Sequence, residues 1–240
     1  MGIKYPSFPG GTSGGVAVFP DLEVDEGTLS VDETNNRIGI RTITPGAHLD
    51  VHDTTTSSAN TGGHLRLSAN DGAVMGDSHR LGVIEFTGAE DTSNTQTVGA
   101  RIEALTEAAW TNAENGAALY FYTTDGNASQ TNVLKLDSNK KATFSGVIDV
   151  AGTAPDVTLR NSTSENTDGG CESKIIFEDH ANVALAQIQG SHDGSSDDTK
   201  GDLIFSTHTG SALTEVMRLD SDKRTTFAGD VVINNAFASA

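Results

Sequence analysis

Seven histidines, one cysteine and a surplus of carboxylates are the groups through which this 240-residue chain could do chemistry. His48 and His52 share the i, i+4 spacing of a helical metal pair, but they lie in a predicted strand that runs into a Thr-rich loop. On a strand, even spacing puts both on one face, where copies gathered about an axis could ring an ion. A transition-metal site needs converging ligands, which the sequence does not display. Surface or packing histidine is the reading, and no metal or cofactor is assigned. DGSSDD at residues 193–198 and Asp125-Gly126-Asn127 resemble calcium loops without keeping the EF-hand frame, so they read as solvated acidic turns. Cys171 excludes an internal disulfide and has no reactive motif around it; beside Gly169-Gly170 it reads as a small packing residue. No G-x-S-x-G elbow occurs, and carboxylates this plentiful meet in pairs by chance. No catalytic residue is assigned, and the chain is read as not an enzyme. Trp110, Tyr120 and Tyr122 are the candidates for contact with a receptor or sugar, since exposed aromatics stack on sugars and anchor interfaces. Trp110 has a second reading, as the cap of a sheet edge.

The elements that would position these groups show first in the composition. Apolar residues make up 35% and aromatics 5%, and 26 glycines add mass without side chains to bury. A soluble domain usually reaches about 45–50% apolar with glycine included. A lone chain is therefore underpacked, and neighbouring copies are expected to supply the missing core. The net charge of −18 repels nucleic acid and anionic membranes, and Lys140-Lys141 is the longest basic cluster. Residues 1–20 lack the apolar core of a signal peptide, and no apolar run reaches membrane-spanning length. Neither nucleic-acid binding nor membrane insertion is expected.

Organisation comes from a repeat. Residues 134–146 read LKLDSNKKATFSG and residues 217–229 read MRLDSDKRTTFAG, identical at seven of thirteen positions. Each is written as a β-hairpin: apolar positions two apart, a polar turn, then a strand ending in Phe-Gly. Asn139 and Asp222 are expected to take the left-handed turn position. Leu136, Phe144, Leu219 and Phe227 are expected to be buried, equivalent core residues. The match extends upstream through Leu67/Leu159, Phe86/Phe177, Ile102/Ile188 and Phe121/Phe205, with spacing that shrinks steadily. That drift is an internal duplication in which the first copy has longer loops. Strands are expected at residues 64–67 and 157–159 as well. Residues 100–110, ARIEALTEAAW, favour helix by propensity, but their counterpart AQIQGSHDGSS cannot form one. A strand through about Ala104, then a loop with room for one helical turn, is the expectation. The layout is an extended arm (1–20), a β-hairpin collar (21–60), β module 1 (61–150) and β module 2 (151–240). In the arm, Tyr5, Phe8 and Phe19 are anchors for docking into a partner's groove.

The collar carries a resemblance. Residues 31–51, VDETNNRIGIRTITPGAHLDV, resemble a segment of bacteriophage tail-fibre and related virion appendage proteins through Asn36, Gly39, Ile40, Thr42, Thr44, Pro45, Leu49 and Val51. Arg41 departs from the pattern, standing where that family usually has glycine. The repeat LKLDSNKKATFSGVIDV is similar to fibre segments too. The resemblance implies an all-β fold of two tandem β-sandwich-like modules, preceded by the arm and collar and intertwined as a homotrimer. It implies a virion location and partners among other virion proteins of head, neck or tail. The job would be host adsorption, through a surface glycan or protein, or that of a spacer. The alternative is a carbohydrate-binding adhesive module of a cell-surface array, which would be a free-standing monomer.

Overall fold

The computed structural model describes residues 23–24, 28–32, 34–163, 167–170, 172–194 and 199–232. Tyr5, Phe8, Phe19 and Cys171 lie outside the described residues. The chain is all-β, with no helix among the described residues. It divides into two compact units, Met1–Ile148 and Asp149–Ala240.

In the collar, β1 (Glu23–Val24), β2 (Leu29–Asp32), β3 (Arg37–Ile40) and β4 (Leu49–Val51) form one sheet in chain order. The first three pair antiparallel, and β4 returns parallel to β3 with Ile38 beside Leu49 and Ile40 beside Val51. Parallel neighbours usually need a crossover of a dozen residues or more. Residues 41–48 suffice here because the chain doubles back tightly. Gly39 makes this approach workable: a Cβ there would stand 2.2 Å from the Thr42 carbonyl oxygen. Arg41, in the position where the fibre segment has glycine, sits at φ 60. Its guanidinium donates to Asp53 Oδ1 at 3.1 Å, so the strained backbone is tied down by an ion pair.

Each module is a five-stranded antiparallel sheet in which every strand pairs with its sequence neighbour. The first comprises β5 (Arg80–Ala89), β6 (Gln96–Thr106), β7 (Ala117–Thr124), β8 (Gln130–Leu136) and β9 (Ala142–Phe144). The second comprises β10 (Ser173–Glu178), β11 (Ala184–His192), β12 (Gly201–His208), β13 (Leu213–Leu219) and β14 (Thr225–Phe227). Residues directly opposite in such a ladder point to the same face, and the register sorts the side chains sharply. One row of the first sheet runs Ile84, Ile102, Phe121, Leu134, Phe144. Its counterpart in the second runs Ile175, Ile188, Phe205, Met217, Phe227. The opposite faces are polar, with Glu85, Arg101, Tyr122 and Asn132 in one row of the first sheet. The sandwich-like character lies in this two-facedness; each module's five strands supply one leaf.

The burial expected of the hairpin residues is not reached within one chain. Leu136, Phe144, Leu219 and Phe227 are 40%, 49%, 38% and 49% exposed, although Leu67 approaches the apolar face of the first sheet at Gly82, where a Cβ would stand 2.7 Å from its own. Among the described residues only Ala118, Ile204 and Pro45 are buried apolar side chains. The four hairpin residues do occupy matching places, with Leu134 opposite Phe144 and Met217 opposite Phe227. Residues 64–67 and 157–159 are not strands. They alternate as strands do but find no ladder partner, and Leu65 and Val157 stand largely in solvent. The strand of residues 100–110 runs past Ala104 to Thr106, and the loop after it contains no helical turn. Cross-strand pairing has overridden helix propensity there.

Five hairpins share one turn. In those starting at Asp91, Asp125, Asp137, Asp179 and Asp220, the Asp Oδ1 accepts the backbone N–H four residues on, at 2.9–3.1 Å. In each, the fourth residue takes a positive φ: Asn94, Ala128, Lys140, Asn182 and Lys223. This is a type I turn closed by a left-handed residue, a common three-residue hairpin loop. Asn139 and Asp222 are therefore not the left-handed positions; the geometry assigns that role to the lysine after each. A side chain with a Cβ is strained there. Replacing Lys140→Gly is expected to raise the free energy of urea unfolding by about 1 kcal/mol. Asp137→Ala, which strips the acceptor from the same turn, is expected to lower it by about 1–2 kcal/mol. Equilibrium melts of both variants check the pair of opposite signs.

Candidate functional site

The strongest concentration of functional side chains is the polar face of the first module. Register places it: Arg101 lies opposite Tyr122, and Glu103 opposite Tyr120, which in turn faces Lys135. Tyr120 and Tyr122 stack with centroids 6.0 Å apart and rings inclined by 26°. The Arg101 guanidinium carbon sits 4.2 Å from the Tyr122 centroid, and Lys135 Nζ lies 5.5 Å from that of Tyr120. Cations over tyrosine faces are held by the ring quadrupole.

Two acids fix those cations. Glu103, 3% exposed, accepts from Arg101 Nη2 at 3.2 Å and forms an ion pair with Arg80 at 2.8 Å. Glu107 pairs with Lys135 at 2.6 Å and accepts the Ser138 N–H at 2.8 Å. The lysine bond, together with the serine bonds, pulls the Glu107 carboxyl from 4.5 down to about 2. The same bond pushes Lys135 above its ordinary value, and burial is the main cause that pushes Tyr122 up. Arg101 Nε and Asn132 Oδ1 are buried without hydrogen-bond partners. The arrangement is a stacked, cation-backed pair of phenols.

Of the aromatic candidates, the structure brings Tyr120 and Tyr122 together and places Trp110 apart from them. Trp110 is half-buried in the loop after β6; its Nε1 donates to the Gly116 carbonyl and its N–H to that of Met75, at 3.1 and 2.9 Å. It pins that loop. His48 and His52 bracket β4, both exposed, and their backbones complete the parallel ladder: His48 O accepts from Ile38 and His52 N donates to Ile40. Asp125, read as a solvated turn, caps a hairpin. Arg101, Glu103 and Lys135 escaped sequence reading because only cross-strand register sets them against the tyrosines.

No protein-family model matches the chain, and no curated protein matches it either. Among solved structures, the C-terminal domain of the bacteriophage T5 L-shaped tail fibre superposes with a TM-score of 0.51 at 10% identity, covering 77% of this chain and 92% of that one. The fold is tail-fibre-like. The same fibre domain solved with its intramolecular chaperone domain gives 0.50 at 12% identity, covering 76% of this chain and 63% of that longer one. At such identities the likeness is one of fold.

The Glu107–Lys135 pair carries a sign that can be measured. Because its folded value is depressed, the stabilisation from Glu107 is fully present above the ordinary glutamate range. It is lost as pH falls through about 2. Glu107→Gln is expected to be less stable than the parent at pH 7, with the gap closing steadily between pH 4.5 and about 2. Urea melts across that range read the closure.

Proposed function

We propose that this chain is a structural component of a phage particle, a homotrimeric fibre or appendage subunit. The observation that carries this is the apolar row crossing all five strands of each sheet, from Ile84 to Phe144 and from Ile175 to Phe227, half-buried along its middle and exposed at its ends. An antiparallel sheet needs a cover on its apolar face, and contiguous apolar surface of this kind marks an interface. Three copies turning these faces inward supply it. The tail-fibre-like fold supports the same reading, as does the resemblance in the collar. The arm with Tyr5, Phe8 and Phe19 attaches the subunit to other virion proteins, and the modules project as spacers or adsorption surfaces. Tyr120 and Tyr122 offer the contact surface for a host glycan or protein. The role is mechanical, with no catalytic step.

The alternative of a monomeric carbohydrate-binding module would present bare aromatic faces. Here Arg101 already covers Tyr122, which favours the structural reading.

Light-scattering mass measurement on the purified chain is expected to give three copies per particle at micromolar concentration; a stable monomer overturns the proposal. Phe144→Asp with Phe227→Asp places a charge in each buried row. It is expected to weaken association by at least about a hundredfold, since an unpaired buried charge costs several kcal/mol.

A further inference from the structure

The duplication exposes one place where the second module differs chemically from the first. Leu119 pairs with Leu136, and Leu203 with Leu219, so Ala118 and Asp202 are equivalent positions. Ala118 is 1% exposed and Asp202 4%. A carboxylate therefore replaces a buried methyl group, a costly exchange unless something compensates.

Arg218, in the place of Lys135, compensates in part. Its Nη1 donates to Asp202 Oδ2, but Nε and Nη2 are committed to Glu215 at 3.1 and 2.7 Å. Asp202 Oδ1 is buried and has no hydrogen-bond partner, and the Asp202 side chain has no exposed surface. Two more carboxylates converge on it. Asp193 occupies the place of Glu107, each accepting the N–H of an equivalent serine: Ser221 at 3.0 Å and Ser138 at 2.8 Å. Asp168 accepts from the Gly194 N–H at 3.2 Å. One oxygen from each of Asp168, Asp193 and Asp202 lies within 4.8 Å of the others. That is the span across a coordination sphere with ligands at about 2.4 Å. Glu215 brings a fourth carboxylate; Arg218 and Lys200 face the group, and Arg224 acts on Asp193 while its guanidinium is paired with Asp220 and Asp222. Carboxylates outnumber the cations there.

We propose that Asp168, Asp193 and Asp202 hold a hard divalent cation of the calcium class at the start of β12. All three donors are carboxylate oxygens, which suits calcium or magnesium over softer metals. The wide spacing favours the larger, geometrically tolerant ion, with water completing its shell. Binding gives the orphaned Asp202 oxygen a partner and ties the turn at Asp168 to β11 and β12. The site belongs to the second module alone, because Ala118 leaves the first without its buried ligand. It does not depend on how many copies assemble.

The test uses the full chain, stripped with EDTA and titrated calorimetrically with calcium chloride, then with magnesium chloride. One calcium per chain with a Kd of about 1 mM or tighter is expected, with a higher melting temperature in calcium than in EDTA. Asp168→Asn, a change at an exposed residue, should weaken binding at least tenfold while melting like the parent in EDTA. Asp202→Ala, which installs the residue of the first module, should abolish binding. If Asp202→Ala fails to fold, Asp168→Asn decides alone. Absence of heat with calcium up to about 5 mM, or undiminished binding in Asp168→Asn, overturns the proposal.

Discussion

A single-layer sheet with one apolar face cannot complete its own core, and that constraint governs the rest of this molecule. Strand alternation sends isoleucine, leucine and phenylalanine to one side of each module and charge to the other. The unusual result is that the polar side is the better shielded in one chain. Glu103, Gln189, Ser191, Asp202 and Ser206 are buried, while Phe86, Phe177 and Val157 stand open. Long side chains such as Arg101, Lys135 and Arg218 lie flat across the polar face and cover their neighbours, as amphipathic stems do. Hydrogen bonds and ion pairs hold each sheet flat-packed on that side, leaving hydrophobic burial as the term available to association.

Much of this was legible from residue order because strand periodicity and turn chemistry are local properties. The strands of the two five-stranded sheets, the hairpin of residues 29–40 and the strand through ARIEAL all emerge from alternation and from comparison of the two similar stretches. Three things did not. The left-handed turn residue falls on Lys140 rather than Asn139, because the aspartate that starts the loop fixes the geometry and leaves the fourth residue no choice. Residues 64–67 and 157–159 look like strands, since alternation reports two-facedness and says nothing about whether a partner edge exists. Asp202 reads as one more acid in an acidic stretch until register sets it against Ala118. Its meaning lies in depth, which composition does not encode.

The two copies also separate scaffold from specialisation. The aspartate-capped turns, the apolar row and the serine that binds an acid at the end of β6 or β11 are common to both. What differs sits on the polar face. The first module spends it on tyrosines backed by Arg101 and Lys135. The second replaces Tyr120 and Tyr122 with Ile204 and Ser206, and gathers carboxylates around Arg218 instead. Divergence on the polar face leaves the apolar rows, and hence any shared mode of association, untouched.

The pairing order of the modules has a kinetic side. Every strand of each five-stranded sheet bonds only to its predecessor and successor in the chain. Contact order is therefore low for an all-β protein, and loop-closure entropy is met in small instalments. Each aspartate-capped hairpin can nucleate by itself, as soon as its dozen or so residues leave the ribosome, and the next strand adds to an existing edge. A chain built this way reaches its two-faced form before it meets another copy. In the proposed assembly, the slow, concentration-dependent step is docking of preformed sheets rather than the making of strands.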